Sequence, residues 1–317
     1  MLNALFIGLG SIGTRHLQNL TALCRRQNIP LAADALRSDP ARPLRPGAAA
    51  LLRAQYTDAA ALGRYDLVFV ANPTSLHAQA LAAVKGKAGA LFIEKPVLAA
   101  PGSPALLAGL LAPGQKAYVA APMRWCGAML ALKEEMARRA AAGLRPYSVR
   151  VLCSSYLPDW RPGVDYRTVY SARKALGGGV TIDLIHEWDY LVDLFGMPQT
   201  LYNLKGTYSD LELDSDDLSV YIAQWPGMLA EVHLDYFGRT YRRTAELFYA
   251  DGTLTADFGA GSLTLPGGEV RACAEEVNAR YLREMEYFVH YAQGPAGESL
   301  NPPALAREVL KLTLGER

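Results

Sequence analysis

Cysteine is scarce in this chain of 317 residues, and the four present, Cys24, Cys126, Cys153 and Cys273, stand far apart. No C-x-x-C pair exists, so the spacing suggests neither a zinc site nor a redox dithiol. The thiols read as reduced, in a cytoplasmic protein with no metal site. Charge of one sign is also missing: 32 Lys+Arg against 31 Asp+Glu leave a net charge of +1. That balance supplies no global field for nucleic acid or an anionic membrane, so small-molecule partners are expected. No apolar run approaches the length of a membrane span. The apolar start, Ala4 to Leu9, lacks a basic stretch and runs at once into glycines, which marks a first strand rather than a signal peptide.

Apolar content is plentiful, at 50% against 20% charged, and supports a sizeable core. A chain of this length exceeds what one core usually serves, so two domains are expected, 1–122 and 123–317. The first third alternates strand and helix. Ala4-Leu5-Phe6-Ile7 reads as a buried strand, followed by Gly8-Leu9-Gly10-Ser11-Ile12-Gly13 and a helix to about Arg26. A G-x-G-x-x-G run is common by itself, but between a strand and a helix it predicts a dinucleotide site. There Gly8 makes the tight turn, Gly10 admits a pyrophosphate and Gly13 lets helix and strand pack closely. The N–H groups after it, from Ser11 and Ile12 onward, face the phosphates.

Leu31 to Leu36 reads as the second strand. It contains Asp34, about twenty residues beyond the last glycine, where an acid would bind the ribose diol of NAD. Asp34 sits inside the apolar run, however, while Arg37-Ser38 falls at the tip, where a guanidinium and a hydroxyl suit a 2′-phosphate. NADP is therefore favoured over NAD. The third buried strand, Asp66 to Ala71, leads into Asn72-Pro73-Thr74-Ser75-Leu76-His77. Pro73 holds Asn72 extended, and Thr74 or Ser75 is available to cap the next helix. This turn is expected beside the cofactor, with His77 as a loop-packing residue rather than a catalyst.

Glu94-Lys95-Pro96 follows the apolar run Ala90 to Ile93. In an open parallel sheet the ligand crevice lies outside the carboxyl ends of the strands, so Lys95 would stand over the ligand. Taken alone, such a lysine is an ordinary surface charge. The last strand of the domain is read as Tyr118 to Ala121.

Beyond Arg124 the pattern changes to a helix, about Met129 to Ala142, and a strand, Tyr147 to Ser154. A long loop then carries Tyr156, Trp160, Arg161, Asp165, Tyr166, Arg167, Tyr170, Arg173 and Lys174. Aromatic faces pack on sugar rings and arginines hold anions in a fork, so an acidic or nucleotide-linked sugar fits if the loop binds substrate. Equally, the loop could simply pack its own aromatics. Gly177-Gly178-Gly179 precedes a helix that Thr181 is placed to cap, with Asp183 and His186 on one side and Tyr190 a turn later. The positive end of that helix disfavours an imidazolium at His186, as a general base requires. A buried histidine tied to Asp183 or Asp189 is the structural alternative.

Together, the Gly8-Gly10-Gly13 loop, Asn72-Pro73 with His77, Glu94-Lys95-Pro96, and the glycine triplet followed by Asp183 and His186 resemble the Gfo/Idh/MocA oxidoreductase family over nearly the whole chain. The resemblance implies a Rossmann domain, a doubly wound parallel sheet, followed by a C-terminal α/β domain with a large, mostly antiparallel sheet. It also implies NAD(P)-dependent redox chemistry on sugars or related polyols. Lys95 becomes the catalytic lysine, with His186 and Asp183 as partners, and Arg124 joins the loop residues as a substrate contact. Many members place the aspartate four residues before the histidine, where this chain has Ile182, so the role of Asp183 is less secure.

The mechanism expected from these residues has His186 take the hydroxyl proton of a sugar while Lys95 stabilises the developing alkoxide and a hydride leaves the carbon. Two alternatives share the fold: an NAD-dependent glycosidase, and a non-catalytic NAD(P)-binding regulatory protein. Strands are expected at Leu218 to Trp225, Leu229 to Tyr236, Thr244 to Tyr249 and Gly252 to Phe258, with a turn at Gly238 to Arg243. Helices are expected at about Glu275 to Ala292 and Pro303 to Leu314. A sheet with one open face makes a homo-oligomer, dimer or tetramer, the expected assembly. His233 and His290 have no chemical company in the sequence.

Overall fold

A computed structural model describes residues 1–295 and 297–316, in two compact units. Met1–Ala121 and Tyr281–Glu308 form the first, Pro122–Arg280 and Val309–Arg317 the second. Tyr281–Glu308 thus cluster with the first unit, although they fall in the range 123–317 read from sequence as the second domain.

The first unit contains β1 (Leu2–Ile7), α1 (Ser11–Arg26), β2 (Leu31–Leu36), β3 (Ala54–Tyr56), β4 (Tyr65–Val70), α2 (His77–Val84), β5 (Ala88–Ile93), α3 (Pro104–Leu110) and β6 (Lys116–Val119). Its six strands are parallel in the order β3-β2-β1-β4-β5-β6. The order reverses between β1 and β4, which places the ligand crevice outside the ends of those strands. Both faces of the sheet are covered, and this is why its strands read as unbroken apolar runs. Along β1, Ala4 and Phe6 join one core while Leu5 and Ile7 join the other. On the first face Phe6 stacks on Phe69 at 4.6 Å, Phe69 meets Phe92 at 5.3 Å, and Phe92 meets Tyr118 at 5.5 Å.

The second unit contains α4 (Gly127–Ala141), β7 (Ser148–Tyr156), α5 (Val180–Asp183), α6 (His186–Phe195), β8 (Thr200–Gly206), β9 (Leu218–Trp225), β10 (Met228–Asp235), β11 (Phe237–Tyr249), β12 (Gly252–Asp257), β13 (Ser262–Thr264) and β14 (Val270–Ala272). These strands form one sheet, β14-β13-β12-β11-β7-β10-β9-β8, in which β7 and β10 are the parallel pair and the other pairings are antiparallel. One-sided burial shows as alternation: along β9, Ser219, Tyr221, Ala223 and Trp225 are buried, while Ile222 and Gln224 are exposed.

Two helices end the chain, α7 (Val277–Gln293) and α8 (Pro303–Leu314). Met285, Phe288 and Val289 of α7 complete the first core, with Phe288 edge-on to Phe69 at 5.5 Å and to Phe92 at 5.2 Å. The stacked rings of the sheet need that apolar cover, which explains why this late segment returns to the first unit.

Three local expectations change. Gly238 to Arg243 is not a turn but the irregular first half of β11, whose register against β7 shifts between Phe237 and Arg242. Neither Thr74 nor Ser75 caps α2, because a 3-10 turn, Thr74–Leu76, precedes it without a side-chain cap. Thr181 does not cap its helix either; Gly179 holds that position, and the Asp216 carboxylate accepts the Thr181 N–H at 2.8 Å. Among the described residues no helix is long and apolar enough to cross a membrane.

Candidate active site

The glycine loop separates into three physical demands. Gly8 has φ +90°, and a Cβ there would lie 2.6 Å from the Asn72 backbone. A Cβ on Gly13 would lie 2.1 Å from the Gly8 carbonyl oxygen. By contrast, a Cβ on Gly10 would meet nothing within 4 Å. Gly8 and Gly13 are therefore needed by the fold, whereas Gly10 leaves space for a ligand. Gly10 is the N-cap of α1 and carries no side-chain cap, so the first N–H groups of the helix, at Ser11 and Ile12, face an open, positively polarised end. These features fit a dinucleotide pyrophosphate.

At the tip of β2, Asp34 and Arg37 differ in their surroundings. Asp34 is fully buried and accepts hydrogen bonds from Arg53 at 2.5 and 3.0 Å and from the Tyr65 hydroxyl at 2.9 Å. It ties β2 to the residue before β3 and to the start of β4. Arg37 follows the strand end and is half-buried, its guanidinium donating to Gln55 Oε1 at 2.8 Å and to the Pro40 and Arg42 carbonyls, with the exposed Ser38 beside it.

Lys95 follows β5, two strands from the glycine loop on the same carboxyl edge of the sheet. It is half-buried, and the Lys95–Pro96 peptide bond is cis. Its backbone N–H donates to Glu94 Oε2 at 3.2 Å. Glu94 Oε1 is 2.6 Å from Nε2 of His16, a buried residue of α1. Burial alone would raise the Glu94 pKa, but the hydrogen bond and charge of His16 and the charge of Lys95 outweigh it and hold the carboxyl below its ordinary value. His77 is fully buried, with Nδ1 3.2 Å from the Val97 carbonyl and Nε2 3.1 Å from the Asn72 carbonyl. Burial lowers its pKa. Its ring ties the loop after β4, which holds Asn72 and Pro73, to the loop after Pro96, as a loop-packing residue.

In the second unit the glycine triplet is compressed. A Cβ on Gly178 would lie 2.0 Å from the Tyr170 carbonyl oxygen, and one on Gly179, at φ +129°, would lie 2.4 Å from Asp216. This packing brings the Tyr170 segment against α5. The buried Asp183 carboxylate accepts the Tyr170 hydroxyl at 2.5 Å and the Tyr236 hydroxyl at 2.5 Å. Burial and the Asp183 charge raise the pKa of both phenols, so they remain donors. Trp160 stands edge-on to Tyr236 at 5.2 Å and donates from its indole to Ser155 at 3.1 Å. Arg161 lies over the Tyr170 ring, 5.6 Å away, and Arg239 over the Tyr156 ring, 3.8 Å away. Both guanidinium residues are exposed.

The expected single helix through Asp183 and His186 is broken at Leu184 and Ile185. Asp183 ends α5, while His186, half-buried, begins α6. Tyr190 is not on a shared chemical face; it is fully buried against Phe258 at 5.4 Å. Glu187, buried, pairs with Arg243 at 2.6 Å. Arg124, read from sequence as a substrate contact, is itself buried and donates to Asp189 at 2.8 and 2.9 Å and to Asp193 at 2.9 Å. That network fastens α6 to the 3-10 turn Pro122–Trp125. Arg167 is exposed and pairs with Asp165 at 2.9 Å and Glu212 at 3.1 Å, while the Tyr166 hydroxyl accepts the Glu212 N–H.

Residues 2–109 match the model of an oxidoreductase family with an NAD-binding Rossmann fold, GFO_IDH_MocA. This is a Gfo/Idh/MocA NAD-binding domain. No curated protein sequence matches the chain. Among solved structures, a levoglucosan dehydrogenase in complex with NADH and levoglucosan has a TM-score of 0.80 at 18% identity, covering 98% of this chain and 95% of that one. Myo-inositol 2-dehydrogenase from Lactobacillus plantarum gives 0.75 at 17% identity, covering 99% and 98%. UDP-N-acetylglucosamine 3-dehydrogenase from Acidithiobacillus ferrooxidans gives 0.70 at 20% identity, covering 100% and 96%. At these identities the likeness is one of fold, and it extends over both units of the chain.

The contacts of four residues in the two units escape a reading of the sequence. His16 looks like one more position on an amphipathic helix, and Tyr236 and Arg239 look like strand and turn. His233, apparently without company, has Nε2 3.1 Å from Asp235. Asp235 also accepts the Ser154 hydroxyl and the Phe237 and Gly238 N–H groups, shaping the entry to β11 that presents Tyr236 and Arg239. The signals were present only as residue types, since each partner lies on a different strand or loop.

Proposed function

We propose that this chain is a nicotinamide-dependent dehydrogenase acting on a CH–OH group of a sugar or sugar derivative. The observation that carries this reading is the pairing, on one carboxyl edge of the first sheet, of an open helix N-terminus at Gly10 with a strand-end lysine at Lys95. When bound, the nicotinamide accepts or returns the hydride. Gly10, Ser11 and Ile12 hold the phosphates through backbone N–H groups, and Lys95 as an ammonium stabilises charge developing on the substrate oxygen. His186 takes the hydroxyl proton in the oxidative direction and returns it in the reductive one. Asp183 supports the second half-site through Tyr170 and Tyr236, because its carboxylate already accepts both phenols.

The substrate class favoured is an acidic or nucleotide-linked sugar. Tyr156, Trp160 and Tyr170 offer aromatic surface for a pyranose, with the buried Tyr236 backing Trp160, while Arg161 and Arg239, laid on the Tyr170 and Tyr156 rings, offer charge for an anionic substituent. NADP is preferred to NAD, since Asp34 is withdrawn into the Arg53 pair and Arg37-Ser38 occupies the strand tip. The assembly is a homo-oligomer: Tyr202 and Ile222, paired across β8 and β9, leave 67% and 40% of their surface exposed on the second sheet.

Titration with NAD and NADP, followed by a panel of neutral, acidic and nucleotide-linked sugars read by nicotinamide absorbance, tests the reading. Turnover with a net absorbance change supports it. Sugar release without net change replaces it with a glycosidase, and cofactor binding without turnover across the panel replaces it with a binding protein.

A further inference from the structure

Glu94 is the residue through which two elements of the first unit meet. One carboxylate oxygen lies 2.6 Å from Nε2 of His16, in the second turn of the helix whose N-terminus faces the phosphate crevice. The other accepts the backbone N–H of Lys95. His16 is 1% exposed, and its ring sits 4.7 Å from Phe92, 6.1 Å from Phe69 and 6.4 Å from Tyr281, so it cannot turn away without displacing aromatic core. Its Nδ1 has no hydrogen-bond partner, which leaves Glu94 as the polar tie of the ring. A solvent-excluded polar contact of this kind is costly to leave half-made.

We infer that His16 and Glu94 are positioning residues: a buried strut that locks the Lys95 backbone in register with the dinucleotide-binding helix. The geometry explains why an acid precedes the lysine. Glu94 does not reach toward substrate; it is turned inward and carries the position of α1 to the residue that follows it. Because strut and lysine share one compact unit, a shift of the helix end is passed to Lys95 through two hydrogen bonds rather than through a flexible loop. Here the inference rests on the reading of Lys95 as the oxyanion-stabilising group, but the strut itself does not.

The test compares His16→Ala, which removes the donor, with His16→Gln, whose amide nitrogen reaches nearly as far as Nε2. Reductive ¹³C-dimethylation of the lysines, with Lys95→Arg to identify the Lys95 resonance, reports the lysine's environment without any turnover. His16→Ala is expected to shift the Lys95 resonance, with His16→Gln returning it toward wild type. Where a substrate is in hand, His16→Ala lowers kcat by about tenfold or more with KM for the cofactor changed by less than about threefold, and His16→Gln recovers most of the loss. An unmoved Lys95 resonance in folded His16→Ala overturns the strut, as does an equal shift in both variants, which would mark simple loss of packing. Absence of turnover in wild type counts against the dehydrogenase reading alone, since the resonance still decides the strut.

Discussion

A Cβ built on Gly13 would stand 2.1 Å from the carbonyl oxygen of Gly8, whereas one on Gly10 would have no neighbour within 4 Å. Two glycines of one motif therefore serve different ends, and substitution separates them. Gly13→Ala forces backbone apart and is expected to cost about 2 kcal/mol or more of stability, seen as a lowered denaturant midpoint. Gly10→Ala should stay within about 1 kcal/mol of wild type while weakening dinucleotide binding at least tenfold by calorimetry, because the methyl occupies the ligand's space. Equal stability losses in the two variants would contradict this division.

Lys95→Met keeps the length of the side chain and removes its charge. Cofactor affinity should stay near the wild-type value while kcat falls by about a thousandfold, the size of a lost charge-stabilising donor. Turnover at the wild-type rate would end the assignment of Lys95.

At the tip of β2, Arg37→Ala should lower NADP affinity by about tenfold, or about 1.4 kcal/mol, and leave NAD nearly unchanged. Fluorescence titration with each cofactor measures the ratio. Equal effects on both cofactors would show that Arg37 only braces its loop through Gln55.

Tyr236→Phe withdraws one of the two phenol donors from the buried Asp183 carboxylate. It should cost about 1–3 kcal/mol in chemical denaturation and raise KM for the sugar more than it lowers kcat. Tyr170→Phe, at a position 41% exposed, should cost less stability with a similar effect on KM. A kcat loss with unchanged KM would instead place the phenols in the chemical step.

The depressed pKa of Glu94 has a definite sign in stability. Because the folded carboxyl titrates below its ordinary value, 4.5, its contribution is present above that pH and fades as pH falls through the lower folded value. The stability difference between wild type and Glu94→Gln should therefore be largest near pH 6 and shrink toward about pH 3. Thermal denaturation across that range measures it, and a difference independent of pH would show that the Glu94 charge is not what matters.

Much of the first unit was legible because its signals are local. The strand, the glycine loop and the helix to Arg26 lie in consecutive residues, and burial on both faces writes each parallel strand as an apolar run. The short strands β3, β13 and β14 have too few residues for a period, and β8 exposes Tyr202 and Leu204 where a one-sided strand is expected to be polar.

By itself, then, the amino-acid sequence determined the glycine loop between strand and helix, the strand-end position of Lys95 and the buried parallel strands of the first unit, since these depend on neighbours within a few residues. Only the tertiary structure decided what the polar side chains do. Asp34 is bound to Arg53, Arg124 to Asp189, Asp183 to Tyr170 and Tyr236, and Glu94 to His16, with partners 13 to 78 positions away. A buried charge takes its partner from whichever element packs beside it, and nothing in the local spacing names that element.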